Sequence, residues 1–296
     1  MELLEISAGR GEIDEVKRLI QQQRVDVNTT NKDNKTALFY ACANGHTDVA
    51  KYLLDSGASV RVGETSLTVA CVMQNVELVC VLLNHGADPN LASTSRHEDS
   101  KHRLPLFVAV HKQNSELAGL LLKRGANVNV TDITGNTALH IAIEHYSHKS
   151  SPHLHENLFF KSDVKEDVID VLLENKADVN FLNRFGETPL YSAVFYTMIG
   201  VVSKMVQVYG GNPNKGSPLI AACLRENVEL VDMLLRHGAD PNLPSMKGYQ
   251  GSNDMPLFLA AERGKSDIVM SLLNAGASVN ALNYKGRNVV CFVAEN

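Results

Sequence analysis

Five of the eleven histidines lie in one short stretch, at His140, His145, His148, His153 and His155. Imidazole nitrogens are common zinc ligands, so this cluster of histidines suggests a metal site. A zinc site needs several ligands held about 2 Å from the ion, and this Ser/Pro-rich spacing matches no known site. We therefore predict no resident metal and keep His148, His153 and His155 as weak metal candidates.

The five cysteines contain no CxxC pair, and Cys42, Cys71 and Cys223 occupy one equivalent position of a repeated segment. This distribution of cysteines is typical of reduced, buried thiols in a cytosolic protein. We expect Cys80 and Cys291 to be reduced and buried as well. The sequence also lacks a nucleophile elbow, an HExxH motif, a phosphate-binding loop and kinase motifs. We expect neither an enzyme activity nor a cofactor.

The 296 residues are 44% apolar and 21% charged, which is typical of a folded, water-soluble protein. No apolar run approaches the roughly 20 residues of a spanning helix, and the N-terminus lacks the apolar core of a signal peptide. The net charge of −5 disfavours nucleic-acid binding. We expect a cytoplasmic protein, with the nucleus as an alternative, that neither inserts into membranes nor binds nucleic acid.

A short phrase of the form Gly-Ala-x-Val/Pro-Asn, more or less degenerate, recurs along the chain. Its Val or Pro falls at Val27, Val60, Pro89, Val128, Val179, Pro213, Pro241 and Val279. A second phrase, Thr-Pro/Ala-Leu-x-x-Ala, precedes it, as in TALFYA from Thr36, TALHIA from Thr137 and TPLYSA from Thr188. Repeats of this length indicate a solenoid of stacked units.

These phrases resemble the ankyrin repeat, in about nine units over the whole chain. The resemblance implies an all-α ankyrin-repeat solenoid of stacked helix-turn-helix pairs with β-turn fingers, forming one elongated domain over residues 1–296. It also makes His140 a structural residue that bonds the Thr of its phrase and the finger backbone. The approximate repeats are 1–31, 32–60, 61–91, 92–131, 132–180 with an insertion at 146–165, 181–214, 215–243, 244–281 and a truncated 282–296.

The apolar spacing supports these helix pairs, since it predicts a short inner helix within 36–44 and a longer outer helix within 48–55. Neither helix can bury its apolar face alone, so neighbouring pairs must stack. Glycines are expected where the backbone needs a positive φ, at the end of the outer helix and in the fingers. These glycines are Gly57, Gly135, Gly186 and Gly286.

Two blocks of the chain are close copies. Residues 66–91 match residues 218–243 at 17 of 26 positions, and each block has a short finger followed by a long one. Either the duplication copied a harmless length change, or the paired fingers form a notch in which a bound peptide turns or inserts. The sequence leaves both interpretations open.

In ankyrin repeats, partners generally bind the concave face made by finger tips and exposed inner-helix positions. The resemblance places there Lys35, Arg61, Arg103, His111, Lys112, Glu144, His145, Arg184, Phe185, Tyr191, Phe195, Tyr196, Leu224, Arg225, Tyr249, Glu262 and Arg263. Basic side chains outnumber acidic ones in this set, which favours an acidic or phosphorylated partner segment. A surface without net charge bias is the alternative.

Phe195 and Tyr196 fill two inner-helix positions where this fold usually carries small or polar residues, and Phe185 and Tyr191 flank them. Exposed aromatic residues are typical interface anchors. The alternative is that the insertion at 146–165 folds over these rings and buries them.

The sequence therefore predicts a non-catalytic protein-interaction module, monomeric as a segment, that binds an extended peptide or a protein surface. Both chain ends fall within inner helices, so we expect a segment of a larger scaffold or regulatory protein. One alternative is the docking or targeting arm of a larger kinase, ubiquitin ligase or channel. A metal-binding protein that uses the His-rich insertion is less favoured.

Overall fold

The computed structural model describes residues 3–62, 65–93, 104–149, 168–245, 255–282 and 286–291. Within these ranges the regular structure is α-helical and no β-strand is formed, which confirms the predicted all-α class. The chain divides into two units, Met1–Asp132 with Phe159–Lys176 and Ile133–Leu158 with Ala177–Asn296. The single domain and its repeat boundaries stay predictions. Across the described ranges, no helix combines the length and the apolarity that crossing a membrane requires.

The helices, in chain order, are α1 (Leu3–Arg10), α2 (Ile13–Gln21), α3 (Ala37–Ala43), α4 (Thr47–Asp55), α5 (Ser66–Val72), α6 (Val76–Asn84), α7 (Pro105–His111), α8 (Ser115–Lys123), α9 (Ala138–Lys149), α10 (Val168–Glu174), α11 (Pro189–Phe195), α12 (Ile199–Gln207), α13 (Pro218–Leu224), α14 (Val228–Arg236), α15 (Pro256–Glu262) and α16 (Ser266–Asn274). Helices α1 to α8 and α10 belong to the first unit, and α9 and α11 to α16 to the second.

The start of each inner helix follows from its first residues. Thr36 and Thr188 precede α3 and α11, and their hydroxyl oxygens accept the backbone N–H three residues on, at 3.2 Å and 3.0 Å. Helices α7, α11, α13 and α15 begin with proline, whose fixed φ and missing N–H suit the first helical position. The repeated Thr-Pro-Leu phrase is therefore a helix start signal.

The core of each unit is a row of inner helices with outer helices behind it. In the first unit α3 packs between α1 and α5, and in the second α13 packs between α11 and α15. The leucine of the repeated phrase is buried in each case, for example Leu38, Leu106 and Leu190. Each fully buried leucine contributes about 1.5–3 kcal/mol to stability.

At several places along the chain an asparagine side chain joins one turn to the turn of the next repeat. In the first unit Asn28 Nδ2 donates to the carbonyl of Gly57 at 3.1 Å, and its Oδ1 accepts the N–H of Ser59 at 2.7 Å. The same two bonds are made by Asn90 to Gly125 and Asn127, Asn180 to Gly210 and Asn212, Asn214 to Gly238 and Asp240, and Asn242 to Gly276 and Ser278. We call these five residues the asparagine ladder.

Arg61 occupies a ladder position in the first unit. Its backbone keeps the local turn, because its N–H donates to the hydroxyl of Ser59 at 3.2 Å. Its side chain is exposed, and within the described residues it makes no hydrogen bond to Gly86 or Asp88, which correspond to Gly57 and Ser59. The seam between these two repeats therefore lacks the ladder bonds.

The regular fingers are tight turns closed by an asparagine. Asn183 Oδ1 accepts the N–H groups of Phe185 and Glu187 at 2.9 Å and 3.0 Å. The positive φ expected at Gly57, Gly135, Gly186 and Gly286 is confirmed at all four. At Gly135 close packing is a second reason for glycine, since a Cβ would lie 2.9 Å from the backbone nitrogen of Arg184.

The second short finger makes an unusually sharp turn. Gly216 and Ser217 are both left-handed, and Gly216 lies against Thr188, where a Cβ would come within 3.0 Å. The long fingers at 94–103 and 246–254 and residues 63–64 of the first short finger lie outside the described residues. The proposed notch between short and long fingers stays a prediction.

We expect Arg61→Asn to raise the free energy of unfolding by about 1 kcal/mol, because an amide there can make the two missing ladder bonds. The matched variant Asn28→Ala should lower the unfolding free energy by about 1–2 kcal/mol. Since the chain has no Trp, urea unfolding is best followed by far-UV circular dichroism. An unchanged or lower urea midpoint for Arg61→Asn would contradict the ladder interpretation.

Three of the cysteines are core residues. Cys42, Cys71 and Cys223 are buried, and desolvation raises the pKa of each thiol to about 12. Cys291 is exposed and Cys80 is half-buried, so the expectation of buried thiols is wrong for these two. The difference arises because neither residue lies on the packed face of an inner helix.

We expect a brief iodoacetamide pulse near pH 8 to alkylate Cys80 and Cys291 and to spare the three core thiols, since only an accessible thiolate reacts. Denaturant should make all five react, which peptide mass spectrometry can count. Rapid native labelling of Cys71 or Cys223 would show that the inner helices are not packed as described.

Candidate protein-binding surface

His140 has a structural position, as the resemblance implied. The backbone N–H of Thr137 donates to His140 Nδ1 at 3.1 Å, and Nε2 lies 3.2 Å from the carbonyl oxygen of Glu187. A carbonyl can only accept, so Nε2 carries the proton and Nδ1 is the acceptor. Both ring nitrogens therefore hold the finger against the helix start, and neither is left for a metal.

The weak metal candidates are not placed by the structure. His153 and His155 lie outside the described residues, as does the side chain of His148. Among the residues that are described, no group of three or more His, Cys, Asp or Glu side chains is arranged to hold a metal ion.

Helices α5, α7, α11, α13 and α15 end in the same way, and this places several of the predicted partner-binding residues. The last helical residue and the residue after it are followed by a left-handed residue that turns the chain toward the outer helix. These left-handed residues are Gln74, Gln113, Thr197, Glu226 and Gly264. We call the last helical residue and its successor in each inner helix the helix-end positions, such as Phe195 and Tyr196 in α11.

The helix-end positions of α11 form an aromatic group with Tyr191. The rings of Tyr191 and Phe195 are stacked with centroids 6.1 Å apart and planes at 13°, and Tyr196 meets Phe195 edge-on at 5.4 Å. Phe195 and Tyr196 are half-buried. Tyr191 is only 5% exposed, so little of its side chain is open to a partner, and its role as a partner contact stays a prediction. Its side chain is buried, and its ring packs against that of Phe195.

Arg225, at a helix-end position of α13, adds a cation to this aromatic group. Its guanidinium carbon lies 5.1 Å from the centroid of the Phe195 ring. A guanidinium over an aromatic face is attracted by the ring quadrupole, at about 0.5–1 kcal/mol for an exposed pair. The contact joins the ends of two neighbouring inner helices into one surface.

The next helix end carries a compact ionic group. Glu226 accepts from Lys265 at 2.7 Å and from Arg263 at 3.2 Å. Hydrogen bonds from Lys265, and secondly from Arg263, hold the pKa of Glu226 below its ordinary value. Glu226 and Lys265 were not predicted from the sequence, because their pairing depends on side-chain directions that residue spacing does not specify.

The other predicted contacts of the second unit are largely accessible. Phe185 is 58% exposed at a finger tip. The exposed or half-buried residues are Glu144, His145, Arg184, Leu224, Glu262 and Arg263. Tyr249 lies outside the described residues.

In the first unit, Lys35 lies over the ring of Phe39 with its Nζ 4.8 Å from the centroid. Arg61 and Lys112 are exposed and His111 is half-buried. Arg103 lies outside the described residues. The predicted set is thus divided between the two units, and its largest connected part is the group around Phe195.

The family comparison covers most of the chain. The model described as "Ankyrin repeats (3 copies)" matches residues 4–93, 91–154 and 159–245, and the model described as "Ankyrin repeat" matches residues 252–284. The ankyrin domain of Bcl-3 is a structural neighbour with a TM-score of 0.58 and 27% identity, over 76% of this chain and 91% of that one.

Two similar proteins share shorter segments. Alpha-latrocrustotoxin-Lt1a of Latrodectus tredecimguttatus is 49% identical over 55 residues, which is 19% of this chain and 4% of the toxin. Palmitoyltransferase akr1 of Schizosaccharomyces pombe is 42% identical over 55 residues, which is 19% of this chain and 9% of that protein. The chain thus covers less than a tenth of either relative.

The repeated phrases, the helix pairs joined by ladder asparagines and the matching family models agree with one another. This chain belongs to the ankyrin-repeat family.

Proposed function

We propose that this chain is a non-catalytic module that binds an extended segment of a partner protein along its helix-end positions and finger tips. The ankyrin-repeat family membership makes it a protein-interaction module. The observation that carries the finer proposal is the half-buried aromatic pair Phe195 and Tyr196. The corresponding positions carry Leu224 and Arg225 in α13, and Glu262 and Arg263 in α15, so the helix fold itself does not require aromatic rings there.

The geometry supports an extended ligand. Contacts from Arg225 to Phe195 and from Arg263 to Glu226 join successive helix ends into a row. A peptide segment that lies along this row, from α11 towards α15, contacts the aromatic rings first and the charged side chains after them. The backbone beneath is held by hydrogen bonds from repeat to repeat, so most of the ordering cost of binding falls on the partner.

The wider setting is part of the same proposal. The relatives are far longer than this chain, and one is named as a palmitoyltransferase. Their length supports a role as the docking part of a larger scaffold or regulatory protein. We further propose that this part is monomeric and acts in the cytoplasm or nucleus. An acidic or phosphorylated partner fits the exposed arginines at the helix ends.

We expect Phe195→Ala/Tyr196→Ala to weaken binding of peptides selected from a random display library by about 30-fold or more, the scale of an interface hot spot. The double variant should change the urea midpoint much less than it changes affinity. Fluorescence polarisation with individual selected peptides measures the first quantity, and circular dichroism the second.

The matched control is Val208→Ala/Met270→Ala, which removes exposed apolar side chains at the outer helices of the same unit. These changes should leave peptide affinity unaltered. A double aromatic variant that loses stability while keeping its affinity would instead support burial of Phe195 and Tyr196 under the insertion.

A further inference from the structure

Arg225 differs from its cationic neighbours in what it contacts. Arg263 and Lys265 both pair with Glu226. Arg225 is exposed and lies on the Phe195 ring, and in the described part of the second unit no carboxylate forms an ion pair with it. Its guanidinium is held by an aromatic face rather than by an anion.

This arrangement leaves the guanidinium ready for an acidic ligand. Stacking on a ring uses the face of the group, and the N–H donors lie around its edge. A planar guanidinium matches a carboxylate with two parallel hydrogen bonds, and such charge-assisted pairs are about twice as strong as neutral ones. Because the ring already restricts the side chain, less conformational entropy is lost when a carboxylate binds.

We propose that Phe195, Tyr196 and Arg225 form one recognition site for a peptide in which an Asp or Glu side chain lies close to an aliphatic or aromatic one. The carboxylate pairs with Arg225, and the apolar side chain packs on the exposed parts of Phe195 and Tyr196. This inference rests on the proposed function and specifies the chemistry of its ligand.

The charges around the site favour a carboxylate over a phosphate group. A phosphorylated side chain carries about −1.5 to −2 charges and is usually met by a cluster of cations. Here the two nearby cations Arg263 and Lys265 are engaged by Glu226, whose own carboxylate repels further negative charge. One unpaired guanidinium matches one negative charge.

The test is a selection of random displayed peptides on the full chain and on Arg225→Glu. The wild-type chain should enrich peptides with Asp or Glu near an apolar residue, and Arg225→Glu should lose that preference. A single acidic peptide from the wild-type selection should bind Arg225→Glu at least about tenfold more weakly. Arg225→Lys should fall between the two, because an ammonium lacks the planar fork.

Arg236→Glu is the matched control, since Arg236 is an exposed arginine on the outer helix α14 of the same unit and the charge change is identical. It should keep the acidic preference. Phe195→Leu, which retains an apolar side chain but removes the stacking face, should weaken acidic peptides by about tenfold if the ring positions the guanidinium. An unchanged urea midpoint shows that Arg225→Glu is folded.

The outcomes separate the two proposals. Acidic preference that survives Arg225→Glu, or that is lost equally in Arg236→Glu, overturns the recognition site and leaves peptide binding intact. Failure of the wild-type chain to enrich any peptide overturns the proposed function itself. Resynthesis of a selected peptide with Gln in place of Glu should cost about tenfold in affinity, whereas tighter binding of a phosphoserine version would overturn the preference for a carboxylate.

Discussion

The fold depends on the pair of hydrogen bonds that a turn asparagine makes to the next turn. An inner helix such as α3 has seven residues, too few to be stable alone, so its orientation must come from its neighbours. Leucine packing favours contact but sets no direction. An amide donates and accepts at fixed angles, and Asn28 uses both groups on the next turn, at Gly57 and Ser59. The ladder therefore orients the repeats that it joins within each unit.

This division of roles leaves the helix ends free to vary. Threonine hydroxyls begin α3 and α11, leucines fill the core, and asparagines join the turns. The last helical residue has none of these tasks, which is why Phe195, Leu224 and Glu262 can occupy equivalent positions on similar backbones. Substitution at these positions can change what is recognised with little effect on the backbone that presents it.

The sequence was sufficient for the features that repeat. Helix pairs and left-handed glycines follow from patterns that recur at fixed offsets, and the structural role of His140 follows from the resemblance to the family. It was insufficient where a side chain crosses to the next repeat. The stacking of Arg225 on Phe195 joins residues 30 positions apart and depends on rotamers. The burial of the Tyr191 side chain likewise depends on tertiary packing, which residue spacing does not specify. The sequence shows the arginine at Arg61. Only the hydrogen bonds of the asparagine ladder reveal that this residue stands where an asparagine would join two repeats.

Local charge, rather than the total of −5, decides what the helix ends can attract. Glu226 lies directly beside Arg225 in the sequence, and a pairing of the two would leave neither for a ligand. Lys265 and Arg263 prevent this by holding the Glu226 carboxylate on the neighbouring repeat. Phe195 in turn holds the Arg225 guanidinium on the opposite side. Two adjacent and opposite charges are thereby drawn to different neighbours, and the cation is kept available by an aromatic ring that is itself part of the proposed binding surface.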